Sequence, residues 1–471
     1  MMDAPKINQS IFKTYDVRGI YPTEINGEVA EVIGKALGTM FGKGPVAVGR
    51  DMRIGSEELF LGLVKGLIGV GTDVHDLGLV PVDGVYFAVH KLNYAGAIMI
   101  TASHNPKEYN GMKIAKRAPV LKLRQPQGLK ESKFSTGFRM EWVWGGDAAR
   151  LVQQPFNIPE SPGSVVPYDL WPAFLDHLFS FVEVSKVKPL KVVVDAGNGL
   201  AGKVVPLLAP RLPIKVIPLF FELDGNFPNH PSNPLMPESQ IVIRDKVLET
   251  GADFGVIFDG DTDRLFFVDE KGNFIRADIT LLLLAKLMLE REPGAAVVYN
   301  VICSKMVREQ VMMWGGRPIR APVGYANITK AMRETNAIVS GELSSHYAFR
   351  DNGYADSGFI AFLILLELIS QSGEPLSEMV RPFQKYYKGD EVNFPLQEMP
   401  SDKVIEAVAE KYKDGKQDRL DGLTVEYPDW WLNVRPSNTE PLLRVTMEAN
   451  TREIFEAKKA EILGFIQLLC V

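Results

Sequence analysis

Cysteine is nearly missing from this chain: Cys303 and Cys470 are the only two in 471 residues. Two thiols cannot build a disulfide framework, and their scarcity fits a reducing compartment. Positive charge is not in surplus either. A net charge of −6 argues against broad binding to nucleic acid or to an anionic membrane, because both require excess Lys and Arg facing phosphates. Any phosphate site must therefore be locally basic. Long hydrophobic runs are also absent: 281–289 and 359–369 are the most apolar stretches and fall short of the roughly 20 residues that span a bilayer. They read as buried core helices. The opening residues, MMDAPKINQSIFK, show no apolar core or cleavage pattern of a signal peptide, so a cytoplasmic location is expected.

What is present is ordinary globular composition, 46% apolar and 23% charged, in a chain too long for one hydrophobic core. Three or four domains are expected. Apolar, β-branched runs end abruptly in Gly, Asp, Asn or Ser at 45–51, 95–103, 191–199, 254–263 and 296–304, each resembling a buried strand that feeds a loop. Helical spacing of apolar residues marks 57–70, 239–250, 280–291 and 304–313. The alternation predicts α/β layers, with ligands collecting beyond the carboxyl ends of the strands. Past Gly373 the pattern shifts to an α+β domain, with a helix over 401–412, strands near 423–427 and 431–435 and a last helix. The predicted partition is 1–155, 156–255 and 256–372 for three related mixed-sheet α/β domains and 373–471 for the smaller fourth. The basic stretch 118–154, with Trp142 and Trp144, holds neither periodicity for long.

Four polar segments follow apolar runs. Thr101–Pro106 (TASHNP) presents Ser103 in a loop, because the Asn-Pro pair discourages immediate helix continuation. Lys113, just downstream, suits stabilising a transferring phosphoryl group or moving a proton. Asp259–Arg264 (DGDTDR) alternates Asp259, Asp261 and Asp263, hard oxygen ligands suited to Mg²⁺ rather than zinc or copper. Three neighbouring carboxylates at a buried strand's end repel unless a cation compensates them. Gly341–His346 (GELSSH) places Glu342 and Ser344 like pincers for adjacent sugar hydroxyls, with His346 available for proton transfer. Arg435–Pro441 (RPSNTEP) packs an arginine, hydroxyls and an amide into one turn, a competent clamp for a phosphate dianion. Singly, each motif is also ordinary loop content.

Together, in this order and spacing, the four segments resemble the α-D-phosphohexomutase family, and within it the phosphomannomutase/phosphoglucomutase branch. Tyr15–Gly19 (YDVRG), Gly49–Arg53 (GRDMR), Asp195–Gly199 (DAGNG) and Gly225–Pro234 (GNFPNHPSNP) agree. The resemblance implies four domains around a central cleft, with Ser103 as phosphoserine and metal ligand and Asp259, Asp261 and Asp263 completing a Mg²⁺ site. Arg18 and Lys113 would flank the reacting phosphoryl group, with His346 as a further catalytic candidate. Glu342 and Ser344 would grip the sugar, and Arg435, Ser437, Asn438 and Thr439 the non-reacting phosphate. His104, Arg264 and Tyr325 would line the substrate. Leu343 between the pincers tilts the expectation toward glucose and mannose phosphates rather than amino sugars.

The chain departs from the family pattern in three places. Tyr325 follows Val323-Gly324 where histidine is common, and Ile302 stands where Lys or Arg is common, with Lys305 able to compensate one turn later. The stretch 118–154 lacks the usual turn and amphipathic helix, through loop divergence or a local reading-frame discontinuity. The expected reaction passes the phosphoryl group of Ser103 to a hexose monophosphate. The resulting hexose 1,6-bisphosphate, also the activator, turns over in the cleft and rephosphorylates the serine, so that C1 and C6 phosphates interconvert. Partners are expected to be hexose phosphates alone, for a monomer or small homo-oligomer. Competing readings are a phosphoglucosamine mutase, a sugar phosphatase or bisphosphate synthase, and a non-catalytic sugar-phosphate-binding protein.

Overall fold

The computed structural model describes residues 7–42, 44–119, 138–156, 158–396, 399–437 and 442–470. It forms two compact units, Met1–Ile275 with His346–Ser377, and Arg276–Ser345 with Glu378–Val471. Among the described residues no single helix is long and apolar enough to cross a membrane.

The first unit opens with a mixed sheet of β1 (Val17–Ile20), β2 (Val46–Arg50), β3 (Val74–Leu79), β4 (Gly96–Ile100), β5 (Tyr109–Pro119), β6 (Phe138–Trp142) and β7 (Val165–Pro167). Its order is β1-β5-β4-β2-β3-β7, with β6 also on β5. Strands β2, β3, β4 and β7 run parallel, whereas β5 is antiparallel to β4 and β1. All five residues of β4 (GAIMI) are buried, the continuous apolar run that a strand covered on both faces requires. Helices Gly27–Phe41 and Ser56–Gly69 cover one face. They cross closely because a Cβ on Gly34, Gly62 or Gly66 would lie 2.1–2.2 Å from a carbonyl oxygen of the facing helix or its first turn, which offsets glycine's helical cost of about 1 kcal/mol.

The second sheet holds β8 (Leu190–Asp195), β9 (Ile214–Leu219), β10 (Phe254–Phe258), β11 (Leu265–Asp269) and β12 (Phe274–Ile275) in the order β12-β11-β10-β8-β9. Strand β10 is hydrogen-bonded in parallel to β8 and antiparallel to β11. The expected boundary at 255 would fall inside β10 and part it from β8. The second sheet therefore runs on to Ile275, and the Asp259–Arg264 loop belongs to it rather than to a third domain.

The second unit begins with parallel strands β13 (Ala296–Asn300), β14 (Arg317–Ala321) and β15 (Val339–Gly341), flanked by helices Ala277–Arg291, Lys305–Met313 and Tyr325–Thr335. The chain then returns to the first unit for the hairpin β16 (Tyr347–Phe349) and β17 (Ala355–Asp356) and helix Gly358–Ser372. Helices 277–291 and 358–372 contain the two apolar runs and are buried almost throughout, as expected. The second unit ends with β18 (Tyr387–Lys388), β19 (Val392–Pro395), β20 (Lys416–Asp418), β21 (Leu423–Glu426), β22 (Trp430–Pro436) and β23 (Leu442–Ala449), an antiparallel sheet, with helices Ser401–Lys411 and Arg452–Cys470.

The stretch 118–154, which holds neither periodicity for long in sequence, contains regular elements in its described residues. Strand β5 reaches Pro119, β6 pairs with it antiparallel, and a short helix spans Gly145–Leu151; residues 120–137 lie outside the described residues. Trp142 and Trp144 stack with centroids 6.0 Å apart, and Tyr15 meets Trp144 edge-on at 5.9 Å. Periodicity missed this because the order comes from non-local pairing and aromatic contact rather than from an amphipathic repeat.

Candidate active site

The serine loop leaves the carboxyl end of β4. Ser103 has φ 51°, a left-handed conformation that a non-glycine residue holds only when its surroundings over-determine it. Those surroundings are present. The Ser103 amide donates to Thr101 Oγ1 at 2.9 Å, and its carbonyl accepts from Arg53 Nη2 at 2.6 Å and Ser232 Oγ at 3.2 Å. The hydroxyl, in a residue only 2% exposed, donates to Asp259 Oδ2 at 2.9 Å. His104 Nδ1 lies 3.4 Å from that hydroxyl. Arg18 reaches the same loop by donating to Asn105 Oδ1 at 2.6 Å, and is paired with Asp16.

The acidic loop joins β10 to β11. Asp259, Asp261 and Asp263 are all buried, and each offers a carboxylate oxygen within 4.8 Å of the others'. Lys113, on β5, donates to Asp261 Oδ2 at 2.7 Å and Asp263 Oδ2 at 2.5 Å. Thr101 Oγ1 donates to Asp261 Oδ2 at 3.2 Å. The second oxygens, Asp261 Oδ1 and Asp263 Oδ1, are buried with no hydrogen-bond partner. Orphaned carboxylate oxygens cost free energy unless a cation takes them. An all-oxygen donor set fits a hard divalent cation.

Electrostatics divide the trio. Burial pushes the Asp259 carboxyl well above the ordinary carboxylate range, and Asp263 and Asp261 add to that. Burial acts on Asp263 in the same sense, but Lys113, then His346 when it carries a second proton, and Arg264 outweigh it and hold this carboxyl below the ordinary range. Burial also works against the Lys113 ammonium, yet Asp261 and Asp263 keep its pKa well above that of ordinary lysine. Lys113 is thus a fixed cation. A dication among the three carboxylates favours ionisation of all of them.

Arg264 Nε donates to His346 Nε2 at 2.9 Å, and His346 Nδ1 lies 2.6 Å from Asp356 Oδ2. Nδ1–H therefore donates to Asp356 and Nε2 carries the lone pair, a tautomer fixed by its partners. Burial, followed by Arg264 and Arg18, pushes the pKa of His104 well below that of ordinary imidazole. Ser103, Lys113, Arg18, His104, the three aspartates, Arg264 and His346 all lie in the first unit, and the hydrogen bonds above link all of them to the serine loop or the acidic loop.

The remaining predicted residues lie in the second unit. Glu342 follows β15 and is 4% exposed; its Oε2 accepts from the Gly324 amide at 3.2 Å and Asn300 Nδ2 at 3.5 Å. Ser344 is half-buried in the same turn, and Tyr325 opens a helix after Gly324. These loops leave the carboxyl ends of β15, β13 and β14. Arg435 is buried and donates to Glu391 Oε1 at 2.8 Å, while Arg444 reaches Glu391 Oε2 at 3.2 Å. The Ser437 amide donates to the Leu442 carbonyl at 2.8 Å, next to the paired ends of β22 and β23. Asn438 and Thr439 lie outside the described residues. Ile302 is buried. Lys305 is engaged elsewhere, donating to Asn450 Oδ1 at 2.6 Å and lying 4.1 Å over the Tyr386 ring, so its ammonium does not substitute for a cation at position 302.

Sequence reading missed Asp356, Thr101, Glu391 and Arg53. Asp356 carried a usable signal, an acid just before the apolar run of helix 358–372. Arg53 closes the GRDMR segment, whose residues had no role of their own. Thr101 opens the TASHNP segment but received no role of its own, and Glu391 carried no signal, because their partners, Asp261 and Arg435, are distant in sequence.

Four family models match in order: phosphoglucomutase/phosphomannomutase alpha/beta/alpha domain I over residues 9–127, domain II over 172–272, domain III over 276–386 and the C-terminal domain over 391–464. A phosphohexose mutase of Xanthomonas campestris pv. campestris is 39% identical over 97% of this chain and 99% of its own length. A phosphomannomutase/phosphoglucomutase of Pseudomonas aeruginosa is 36% identical over 97% of this chain and 95% of its own. Among solved structures, a phosphoglucomutase/phosphomannomutase family protein from Burkholderia thailandensis superposes with a TM-score of 0.84 at 31% identity, covering 98% of each chain. With a hydroxyl set against an acidic trio and four domain matches in sequence, the chain belongs to the phosphoglucomutase/phosphomannomutase family of phosphosugar mutases, enzymes of the isomerase class.

Proposed function

We propose that this chain interconverts the 1- and 6-phosphates of glucose and mannose, with Ser103 as phosphoryl carrier and hexose 1,6-bisphosphate as intermediate and activator. The observation that carries this reading is the 2.9 Å contact of Ser103 Oγ with Asp259, in a chain of this family. The cation is Mg²⁺, held by Asp259, Asp261, Asp263 and an oxygen of phospho-Ser103; when bound it neutralises phosphoryl charge and polarises the phosphorus. A sugar hydroxyl oxygen attacks that phosphorus, the Oγ–P bond breaks, and Oγ regains a proton as the hydroxyl loses one. Lys113, held cationic, stabilises charge on the transferring phosphoryl group. That leaves His346 as the base: Asp356 keeps the proton on Nδ1, and the Nε2 lone pair, held by Arg264 Nε at 2.9 Å, becomes available as Arg264 turns to the phosphoryl oxygens. Arg18 and Arg264 stabilise charge on the phosphoryl oxygens. His104, held neutral, and Tyr325 contact the sugar phosphate; Glu342 and Ser344 grip sugar hydroxyls; Arg435, Ser437, Asn438 and Thr439 hold the distal phosphate.

In this reading the serine loop belongs to the first domain, the metal loop to a second that ends at Ile275, the sugar loop to a third and the phosphate clamp to a fourth. The enzyme works as a monomer or small homo-oligomer in a reducing cytoplasm, where buried Cys303 stays a free thiol.

The test supplies glucose 1-phosphate, mannose 1-phosphate and glucosamine phosphate separately, with Mg²⁺ and trace bisphosphate. Wild type should convert the first two to their 6-phosphates without releasing inorganic phosphate, and carry one phosphoryl group on Ser103 by mass spectrometry. Ser103→Ala should lose most turnover. Phosphate release without isomerisation, or turnover undiminished in Ser103→Ala, would refute the proposal.

A further inference from the structure

The mutase chemistry gives no role to three signature motifs, Gly49–Arg53, Asp195–Gly199 and Gly225–Pro234. In the fold all three converge behind the serine loop. Arg53 is 3% exposed, and the hydrogen bonds of its two terminal nitrogens go to backbone carbonyls. Nη2 donates to the carbonyls of Ser103 at 2.6 Å and Asn105 at 2.7 Å, and Nη1 to those of Pro106 at 2.9 Å and Tyr109 at 3.1 Å. Asp51 lies 3.5 Å from Arg53 Nε and balances its charge.

The second-sheet loop closes over this arginine. The Phe227 ring lies 4.9 Å from the guanidinium, and Ser232 Oγ gives the Ser103 carbonyl its second donor at 3.2 Å. A Cβ on Gly225 would meet the Arg53 Cα at 2.8 Å, and one on Gly199 the Gly260 Cα at 2.9 Å. Both glycines are therefore required for backbone to lie on backbone. His230 Nε2 bonds Asp195 at 3.1 Å and pins the loop to the end of β8.

We propose that Arg53, backed by Ser232 and the 225–232 loop, is a positioning residue. It holds the Ser103 carbonyl, and through it the left-handed backbone, so that Oγ faces the acidic trio. Four carbonyls anchored by one rigid fork fix a loop that the φ of Ser103 would otherwise disfavour. This rests on the mutase reading for its kinetic consequence but not for its structural one.

The test compares wild type, Arg53→Lys, Arg53→Met and Ser232→Ala in two readouts. In turnover of glucose 1-phosphate with Mg²⁺ and bisphosphate, Arg53→Met should lose about 10²-fold in kcat, the cost of misplacing a reacting atom by about 1 Å, with KM within about twofold. Arg53→Lys should recover part of the loss. Ser232→Ala, missing one hydrogen bond, should lose about three- to tenfold. In amide hydrogen exchange, residues 101–106 should exchange faster in all three variants while β4 and β10 stay protected. Unchanged kcat in Ser232→Ala together with unchanged exchange across 101–106 would overturn the inference, even if both Arg53 variants failed to fold. A wild type without turnover would remove the mutase reading alone, and the exchange comparison would still decide this one.

Discussion

Asp83 gives the sharpest quantitative test of the packing. It lies in helix Val82–Lys91, 1% exposed. One oxygen accepts from Ser357, the residue that caps helix Gly358–Ser372; the other is buried without a partner. Burial raises its pKa from 3.8 to about 7, with the Ser357 hydrogen bond opposing and Asp356 assisting. Between those values the folded state binds a proton that the unfolded state has released, so stability falls as pH rises through the window. Roughly three pH units at about 1.4 kcal/mol each make the cost about 4 kcal/mol above the folded pKa. Asp83→Asn keeps the shape and the acceptor for Ser357 but cannot ionise. It leaves an amide donor without a partner, costing about 1–3 kcal/mol at every pH. The variant should therefore be close to wild type in stability at about pH 5, where ionisation of the unfolded carboxyl has already cost wild type about 1.7 kcal/mol, and gain about 3 kcal/mol relative to it by about pH 8. Urea unfolding of both proteins across that range, at matched m-values, reads the difference directly. A stability difference that stays flat with pH would refute the burial argument.

Gly260→Ala would place a Cβ 2.7 Å from Ser232 Oγ and 2.9 Å from the Ser103 carbonyl; the shift this forces on the serine loop should cost kcat about 10²-fold with KM little changed, read in steady-state assays. Asp261→Asn removes a charge from the metal trio but keeps its shape, and should raise the Mg²⁺ concentration needed for half-maximal turnover by about tenfold or more; equal Mg²⁺ dependence would contradict the assigned ligands. Glu391 occupies the Arg435 guanidinium, so Glu391→Gln should free it for phosphate and lower KM for hexose phosphate by about threefold. A raised KM would show that Glu391 orients the clamp instead of competing with it.

The order of residues was enough to establish the family resemblance and to nominate a candidate site. A strand buried on both faces must be continuously apolar, so β4, β10 and β13 announced themselves, and the polar residues closing each run had to lie in loops at carboxyl ends. Ser103, the aspartate trio and Glu342 were singled out as candidates this way. Left open were which sheet a loop joins and how a charge is spent. That the Asp259–Arg264 loop hangs from the sheet of β8, that Lys113 bridges two aspartates about 150 residues away, and that Arg53 holds the backbone of a serine 50 residues on became settled only in the folded chain. Hydrogen bonds and ion pairs of that reach leave no local pattern, because their geometry exists only after the sheets have packed and excluded water from the groups they join.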